Sequence, residues 1–248
     1  MTVVAALIDA LPPVTLEELD DRASRLTRFE RKYVLTRADL PSVLAGLPTD
    51  TRVLEIDDRR LFGYHSLYLD TPNLQCYRAA AFGRRHRFKV RVRGYLDSGL
   101  RFFEVKTRGR RGEVTKHRVP YAGDGPTLDV PLAAAGVAID PSRLESVLNV
   151  AYRRTTLFLP SCGSRVTIDS GLTWTAPGDA GLRLNDLTIL ETKSGGTTSV
   201  DRLLWSLGHR PGPMSKYCVG LAAVRGDLPA NRWWPVLRRH FRTSALRS

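Results

Sequence analysis

Charged residues of both signs stand on alternate positions wherever this chain reads as strand. Lys89, Arg91 and Arg93 lie in K-V-R-V-R, Glu104 and Lys106 in F-F-E-V-K, and Lys116 and Arg118 in T-K-H-R-V. Arg165, Thr167 and Asp169 follow in R-V-T-I-D, and Glu191 and Lys193 in L-E-T-K. A strand has a side-chain period of two, so each set projects from one face. Rows of guanidinium and ammonium groups suit the oxygens of an oligomeric phosphate, and arginine adds planar bidentate donors. Lys32, Lys89, Arg91, Arg93, Lys106, Lys116, Arg118, Arg154, Arg165, Lys193 and Lys216 are the candidates to surround such an anion. The competing reading is a solvated face of salt-bridged pairs. It is weakened by the apolar alternate positions Phe88, Val90, Val92, Phe103, Val105, Val166 and Ile168, which claim the buried face and leave the charges the other one.

The carboxylates form a second set. Glu30, Glu104 and Glu191 each sit two residues from a lysine, and Asp169 shares a face with Arg165. Carboxylate and phosphate oxygens are the hard ligands that Mg²⁺ and Mn²⁺ prefer. Glu191, with few other acids near it in sequence, is the leading metal candidate. Glu30, Glu104 and Asp169 either hold metal or neutralise a neighbouring base. The five histidines are isolated, and no phosphate-cradling glycine loop, nucleophile elbow or Cys/His pairing of useful spacing is present. Gly109-Arg110-Arg111-Gly112 reads as a basic hairpin turn. Tyr33, Tyr68, Tyr95 and Tyr152 read as core or rim aromatics.

The formal net charge of +13 and a pI near 10.2 over 248 residues predict an anionic partner. Nucleic acid is disfavoured, because no recognised nucleic-acid motif occurs and the bases are spread over many strands. A hydrophobic fraction of 42% supports a globular core. No stretch approaches the roughly 20 apolar residues of a membrane span. The start of the chain lacks a basic region before its apolar residues and carries Asp9. Cys76, Cys162 and Cys218 form neither a disulfide framework nor a zinc pattern, so a reducing cytoplasm is expected.

These residues need elements to hold them. Thr15-Leu16-Glu17-Glu18 opens a helix to about residue 25. Strands are expected over 28–36, 62–70, 86–95, 100–107, 113–121, 151–159, 164–170 and 186–193. A short helix follows Thr36. Asp140-Pro141 predicts a helix through Leu144 and Val147. Further helices are expected from Ser199 to Gly208 and over 214–224, and the tail from Asn231 is basic and aromatic. About eight mostly antiparallel strands with one charged face cannot pack as an ordinary sandwich, because burying unpaired charge costs too much. The expected fold is α+β, an eight-stranded antiparallel β-barrel tunnel with flanking helices. The expected organisation is a helical extension over 1–25, a tunnel domain over 26–225 and a basic tail over 226–248.

R-F-E-R-K-Y at 28–33, S-L-Y-L-D-T at 66–71, K-V-R-V-R at 89–93, F-E-V-K at 103–106, Y-R-R-T at 152–155, R-V-T-I-D at 165–169, I-L-E-T-K at 189–193 and M-S-K-Y at 214–217 occur in that order. This series resembles the VTC domain, the polyphosphate polymerase module of the triphosphate tunnel metalloenzymes and a relative of the CYTH phosphatases and cyclases. The resemblance covers roughly residues 26–225. It implies a β-tunnel that takes ATP or another triphosphate and a growing polyphosphate chain. It casts Lys32, Arg91, Arg93, Lys106, Lys116, Arg154, Arg165 and Lys216 as phosphate ligands. It casts Glu191 as the holder of Mn²⁺ or Mg²⁺, and it adds a hydroxyl contact from Ser215. Arg28 stands where the CYTH E-x-E-x-K signature has its first glutamate, which argues against a simple triphosphatase, while Glu30 and Lys32 fit the rest. The sequence shows neither an SPX regulatory domain nor membrane segments, so coupling to transport is not implied. The reaction expected is metal-dependent transfer of the ATP γ-phosphate to polyphosphate. The alternatives are an inorganic triphosphatase and a polyphosphate-binding module without turnover.

Overall fold

The computed structural model describes residues 2–23, 29–108, 114–123, 129–178 and 181–241. Its helices are α1 (Val3–Asp9), α2 (Leu16–Ala23), α3 (Leu40–Ala45), α4 (Gln75–Ala81), α5 (Asp129–Ala134), α6 (Ser199–Ser206), α7 (Lys216–Arg225) and α8 (Trp234–His240). Its strands are β1 (Pro13–Val14), β2 (Phe29–Thr36), β3 (Arg52–Leu54), β4 (Phe62–Asp70), β5 (Arg87–Tyr95), β6 (Arg101–Arg108), β7 (Val114–Pro120), β8 (Glu145–Leu159), β9 (Ser164–Thr175), β10 (Leu182–Leu184) and β11 (Leu187–Ser194). The chain forms two compact units. One comprises Met1–Phe62, Arg153–Leu172 and Leu184–Met214; the other comprises Gly63–Tyr152, Thr173–Arg183 and Ser215–Ser248.

In the first unit the strand order is β2-β11-β9-β8, with β3 on β8 and β1 parallel to β3. Antiparallel register pairs Lys32 with Glu191, and Glu191 with Thr167. Period two then sorts the faces. Tyr33, Leu35, Leu190, Val166 and Ile168 point to a core shared with Val43 of α3 and with Val200 and Leu204 of α6, and α1 packs Val4, Leu7 and Ile8 onto it. Asp201 fastens this layer. Its buried carboxylate accepts hydrogen bonds from Tyr33 Oη at 2.7 Å, Thr192 Oγ1 at 2.8 Å and the Thr198 amide at 2.8 Å. Burial opposes its ionisation, but the hydrogen bonds from Thr198, Tyr33 and Thr192 prevail and hold it below the usual carboxylate range.

The second unit runs β8-β4-β5-β6-β7. Val90, Val92, Phe103 and Val105 are buried, while α4 lies on β5 and α5 on β6 and β7. In α7, Gly220 is a packing requirement. A Cβ there would come within 2.1 Å of the Trp174 ring, whose indole N–H donates to the Lys216 carbonyl at 2.9 Å. That bond fixes where α7 begins.

The two runs contain the eight antiparallel strands expected, and the α+β assignment holds. One element differs. Asp140 caps as anticipated, accepting from the Ser142 amide at 2.9 Å, but only the 3₁₀ turn Pro141–Arg143 follows. Leu144 is already extended and β8 starts at Glu145, so the helix expected through Val147 is strand. A cap supplies one local bond, whereas Val147, Leu148 and Val150 are 9% exposed or less as part of a sheet. The short β1, β3 and β10 and helices α4, α5 and α8 were not anticipated as separate elements. Gly109–Gly112, Arg28 and the last seven residues lie outside the described residues. The three cysteines are free thiols. Among the described residues no helix is long and apolar enough to cross a membrane.

Replacing Gly220 with Ala should lower stability by about 1–3 kcal/mol through overpacking against Trp174. Chemical denaturation measures this directly; an unchanged midpoint would show that the ring yields.

Candidate functional site

The second unit carries the larger array. Antiparallel register aligns Lys89 with Lys106 and Lys106 with Lys116, and in the next row Arg91 with Glu104 and Glu104 with Arg118. Arg93 extends the face toward Phe102. Arg91 and Lys106 therefore project from the same side of the sheet, as the alternation requires. With Arg87 opposite Arg108, this face holds eight basic residues and one carboxylate among the described residues.

That carboxylate, Glu104, is 2% exposed. It accepts from Arg91 Nε at 2.8 Å, Lys116 Nζ lies 2.7 Å away, and Arg93 Nε stands at 3.9 Å. Burial disfavours its charge, but Arg91, Arg93 and Lys116 outweigh burial and hold it well below the ordinary carboxylate range. Lys116 does not gain equally. Burial and the nearby Arg91 and Arg93 outweigh Glu104, so its ammonium is held below the usual lysine range. Positive charge on this face is in excess.

Tyrosines form a platform under the bases. Arg91 lies 5.9 Å from the Tyr68 ring centroid, Arg93 5.6 Å from that of Tyr64, and the Lys216 ammonium 4.7 Å from that of Tyr152. Tyr64 stacks on Tyr152 and Tyr68 on Tyr217. Arg93 Nη2 donates to Tyr152 Oη at 3.2 Å, but its buried Nε has no hydrogen-bond partner, nor does the buried hydroxyl of Ser66, its cross-strand neighbour. Unsatisfied buried donors at one spot are costly without a ligand.

Ser215 caps α7 and also accepts from Lys89 Nζ at 2.8 Å. Lys216 follows at the first helical position, where the helix dipole opposes a cation, and the first turn of α7 contains no acidic residue. Asp70 supports this arrangement from behind. Its fully buried carboxylate accepts from the Thr71, Cys76 and Tyr77 amides and from the Tyr217 hydroxyl. Tyr217 thereby locks the start of α7 to the end of β4.

The first unit carries a smaller wall. Lys32 Nζ lies 3.6 Å from Glu191 and 3.4 Å from Glu30, and Lys193 Nζ lies 3.2 Å from Glu191. Burial works against the Lys32 charge, but Glu191 and Glu30 outweigh it and raise its pKa. Thr167, opposite Glu191, holds a buried hydroxyl without a partner. Arg154 grips Asp169 through two bonds of 2.6 and 2.8 Å. Arg165 donates to the Leu19 carbonyl at 3.2 Å and to Asp20 at 3.0 Å, so part of its guanidinium serves α2.

Of the expected residues, Lys89, Arg91, Arg93, Lys106, Lys116, Ser215 and Lys216 belong to the second unit, with Glu104 among them. Lys32, Glu30, Glu191, Lys193, Arg154, Asp169 and Arg165 belong to the first. Among the described residues no three of His, Cys, Asp and Glu gather as a metal cage. Sequence reasoning overlooked Tyr64, Ser66, Tyr68 and Asp70 as site-forming. Their alternation along β4 was a usable signal, since period two places Tyr64, Ser66 and Tyr68 on one face beside Arg91 and Arg93.

A profile of the VTC domain matches residues 27–124 and 134–225, more than half of the chain. The chain belongs to the VTC domain family. Each wall residue named above falls within the matched VTC segments. The fold is shared with solved structures of proteins provisionally named adenylate cyclases. A Bacillus halodurans protein provisionally named an adenylate cyclase matches at 12% identity with a TM-score of 0.51, covering 77% of this chain and 95% of its own. A Hippeastrum protein provisionally named an adenylyl cyclase, and described as having a dominant triphosphatase activity, matches at 15% identity with a TM-score of 0.50, covering 83% and 100%. No curated protein matches.

Because the folded-state pKa of Glu104 is depressed, its stabilisation is present above the unfolded carboxylate value of about 4.3 and is lost as pH falls below it. Glu104→Gln should remove this increment and strand Arg91, at a cost on the order of 3–5 kcal/mol at pH 7. Urea denaturation of the wild type and variant between neutral and acid pH should show the difference shrinking as pH falls. A constant difference would contradict the assignment.

Proposed function

We propose that this VTC domain is a metal-dependent phosphotransferase that moves the γ-phosphoryl group of ATP onto inorganic polyphosphate. The observation that carries this reading is the surplus of bases over carboxylates on the β5–β6–β7 face. A phosphate oligomer is the ligand that relieves such a surplus, and the orphaned Arg93 Nε and Ser66 hydroxyl can donate to its oxygens.

In the reaction, a terminal oxygen of the acceptor polyphosphate forms a bond to the γ-phosphorus. The bond from γ-phosphorus to the bridging oxygen breaks, and ADP leaves with the electron pair. No protein nucleophile is required, and the protein's part is positioning and charge neutralisation. Arg91, Arg93, Lys106 and Lys116 would hold phosphate oxygens. Lys89 and Ser215 would fix the mouth of α7, and Lys216 would add a cation on the Tyr152 ring.

The first-unit wall suits a divalent metal. Glu191 and Glu30 offer two hard carboxylates, and the unpartnered Thr167 hydroxyl faces Glu191. Mg²⁺ is commonly bound by one or two carboxylates with substrate phosphates completing the shell, so the lack of a full protein cage is compatible with it. Mn²⁺ meets the same donors. When bound, the ion would neutralise charge on the phosphates. Glu104 and Asp169 are engaged by guanidinium groups and are not assigned this role. Lys32 and Lys193, 3.6 and 3.2 Å from Glu191, would orient it.

Purified protein incubated with ATP and Mn²⁺ should yield ADP and long-chain polyphosphate without equivalent free phosphate. Pyrophosphate and phosphate released from tripolyphosphate faster than ATP is consumed would identify a triphosphatase. Tight polyphosphate binding with neither product would identify a binding module. Glu191→Gln should weaken Mn²⁺ binding measured by electron paramagnetic resonance by about tenfold or more and reduce turnover in step, with the fold intact. Unaltered Mn²⁺ affinity would remove Glu191 from the metal site.

A further inference from the structure

The second unit also has a concave pocket of about 550 Å³ whose lining shares no residue with its basic wall. Helix α4 and the turn into β5 form it, with Asn73, Gln75, Arg78, Phe82, Arg84 and Arg85 around it. Two features there are unfavourable in isolation. Phe82, at the end of α4, is 58% exposed, although aromatic rings usually withdraw from water. Beside it, guanidinium groups gather. Arg84 and Arg85 are exposed, and Arg232 reaches within 3.5 Å of where a Cβ on Gly83 would stand. Burial, Arg108 and Arg232 together press the Arg87 charge. No described carboxylate pairs with Arg84, Arg85, Arg87, Arg108 or Arg232.

An anion with a planar ring relieves both features at once. The ring covers Phe82, and the negative charge settles among the arginines. The neutral groups select further. The Asn73 side-chain oxygen already accepts from the Thr71 hydroxyl at 2.6 Å, which leaves its amide N–H groups to donate. Gln75, on the exposed side of α4, offers both a donor and an acceptor. That is the complement of a nucleobase edge. A simple inorganic phosphate chain would use the arginines and leave Phe82 and the amides idle.

We propose that this pocket binds a nucleoside triphosphate, with its base on Phe82 and its phosphates on Arg84 and Arg85. The site uses none of the residues assigned to phosphoryl transfer, so it stands or falls apart from that reaction.

Photolabelling the full chain with 8-azido-ATP, followed by peptide mapping, tests the assignment. The label should fall within residues 73–87. ATP should displace it at concentrations about tenfold lower than tripolyphosphate does, because stacking adds to the charge term. Phe82→Ala should abolish that preference, and Arg84→Glu combined with Arg85→Glu should abolish labelling. All three positions are exposed, and far-ultraviolet circular dichroism checks that the variants remain folded. Label found only elsewhere, or displaced equally by ATP and tripolyphosphate, would overturn the proposal. Tripolyphosphate bound at the basic wall would be unaffected by these substitutions, so failure here is distinguishable from failure of the transferase reading.

Discussion

The contact on which the basic face depends is the ring of three bases around Glu104. One buried carboxylate cannot neutralise Arg91, Arg93 and Lys116 together. It does secure the register of β5, β6 and β7. A slip of one residue would turn Arg91, Lys106 and Lys116 toward the helices and push Phe103 and Val105 outward. Burying those charges without a partner would cost far more than the sheet could recover. The same carboxylate leaves most of the positive charge uncancelled. An anion bound on this face, as proposed, would complete that balance.

Two other buried carboxylates hold their surroundings rigid from behind. Asp201 ties α6 to Tyr33 of β2 and Thr192 of β11, the strands that carry Lys32 and Glu191. Asp70 ties the amides of α4 and the hydroxyl of Tyr217 to the end of β4, beside Tyr68 and Arg91. Both receive several hydrogen bonds from neutral donors, and Asp201 is further paired with Arg31 at 3.5 Å. Side chains fixed in this way lose little freedom when a ligand arrives, which favours tight binding and correct placement of reacting oxygens.

Period two made the walls legible in the sequence. Lys89-Arg91-Arg93 and Glu104-Lys106 could be assigned to one face because their alternates, Val90, Val92, Phe103 and Val105, are apolar. Thr36 was readable as a helix start because a capping residue acts within a few positions, and the helix expected from Ser199 is present, capped by Thr198. What escaped notice was non-local. Asp140-Pro141 carries a genuine helix-start signal, yet β8 takes over at Glu145 because sheet pairing outweighs one turn. Asp70 gives no local hint that it will accept a hydroxyl from Tyr217, 147 positions away. The roles of Tyr64 and Tyr68 emerge only from their register with β5, which a single strand does not reveal. Asp169 shows the limit for metal ligands: its type fits, but Arg154 already occupies both oxygens.

The protonation of Lys116 reports the charge surplus most directly. Its ammonium can be followed by carbon-13 NMR of protein labelled at lysine Cε, with Lys116→Arg assigning the signal. In the free protein it should titrate below the ordinary lysine range, because burial disfavours its charge, Arg91 and Arg93 oppose it, and Glu104 compensates only in part. Saturating tripolyphosphate should raise that midpoint, since the bound anion stabilises the charged form. A midpoint in the ordinary lysine range, or one that tripolyphosphate leaves unmoved, would contradict the account of this face as a phosphate site.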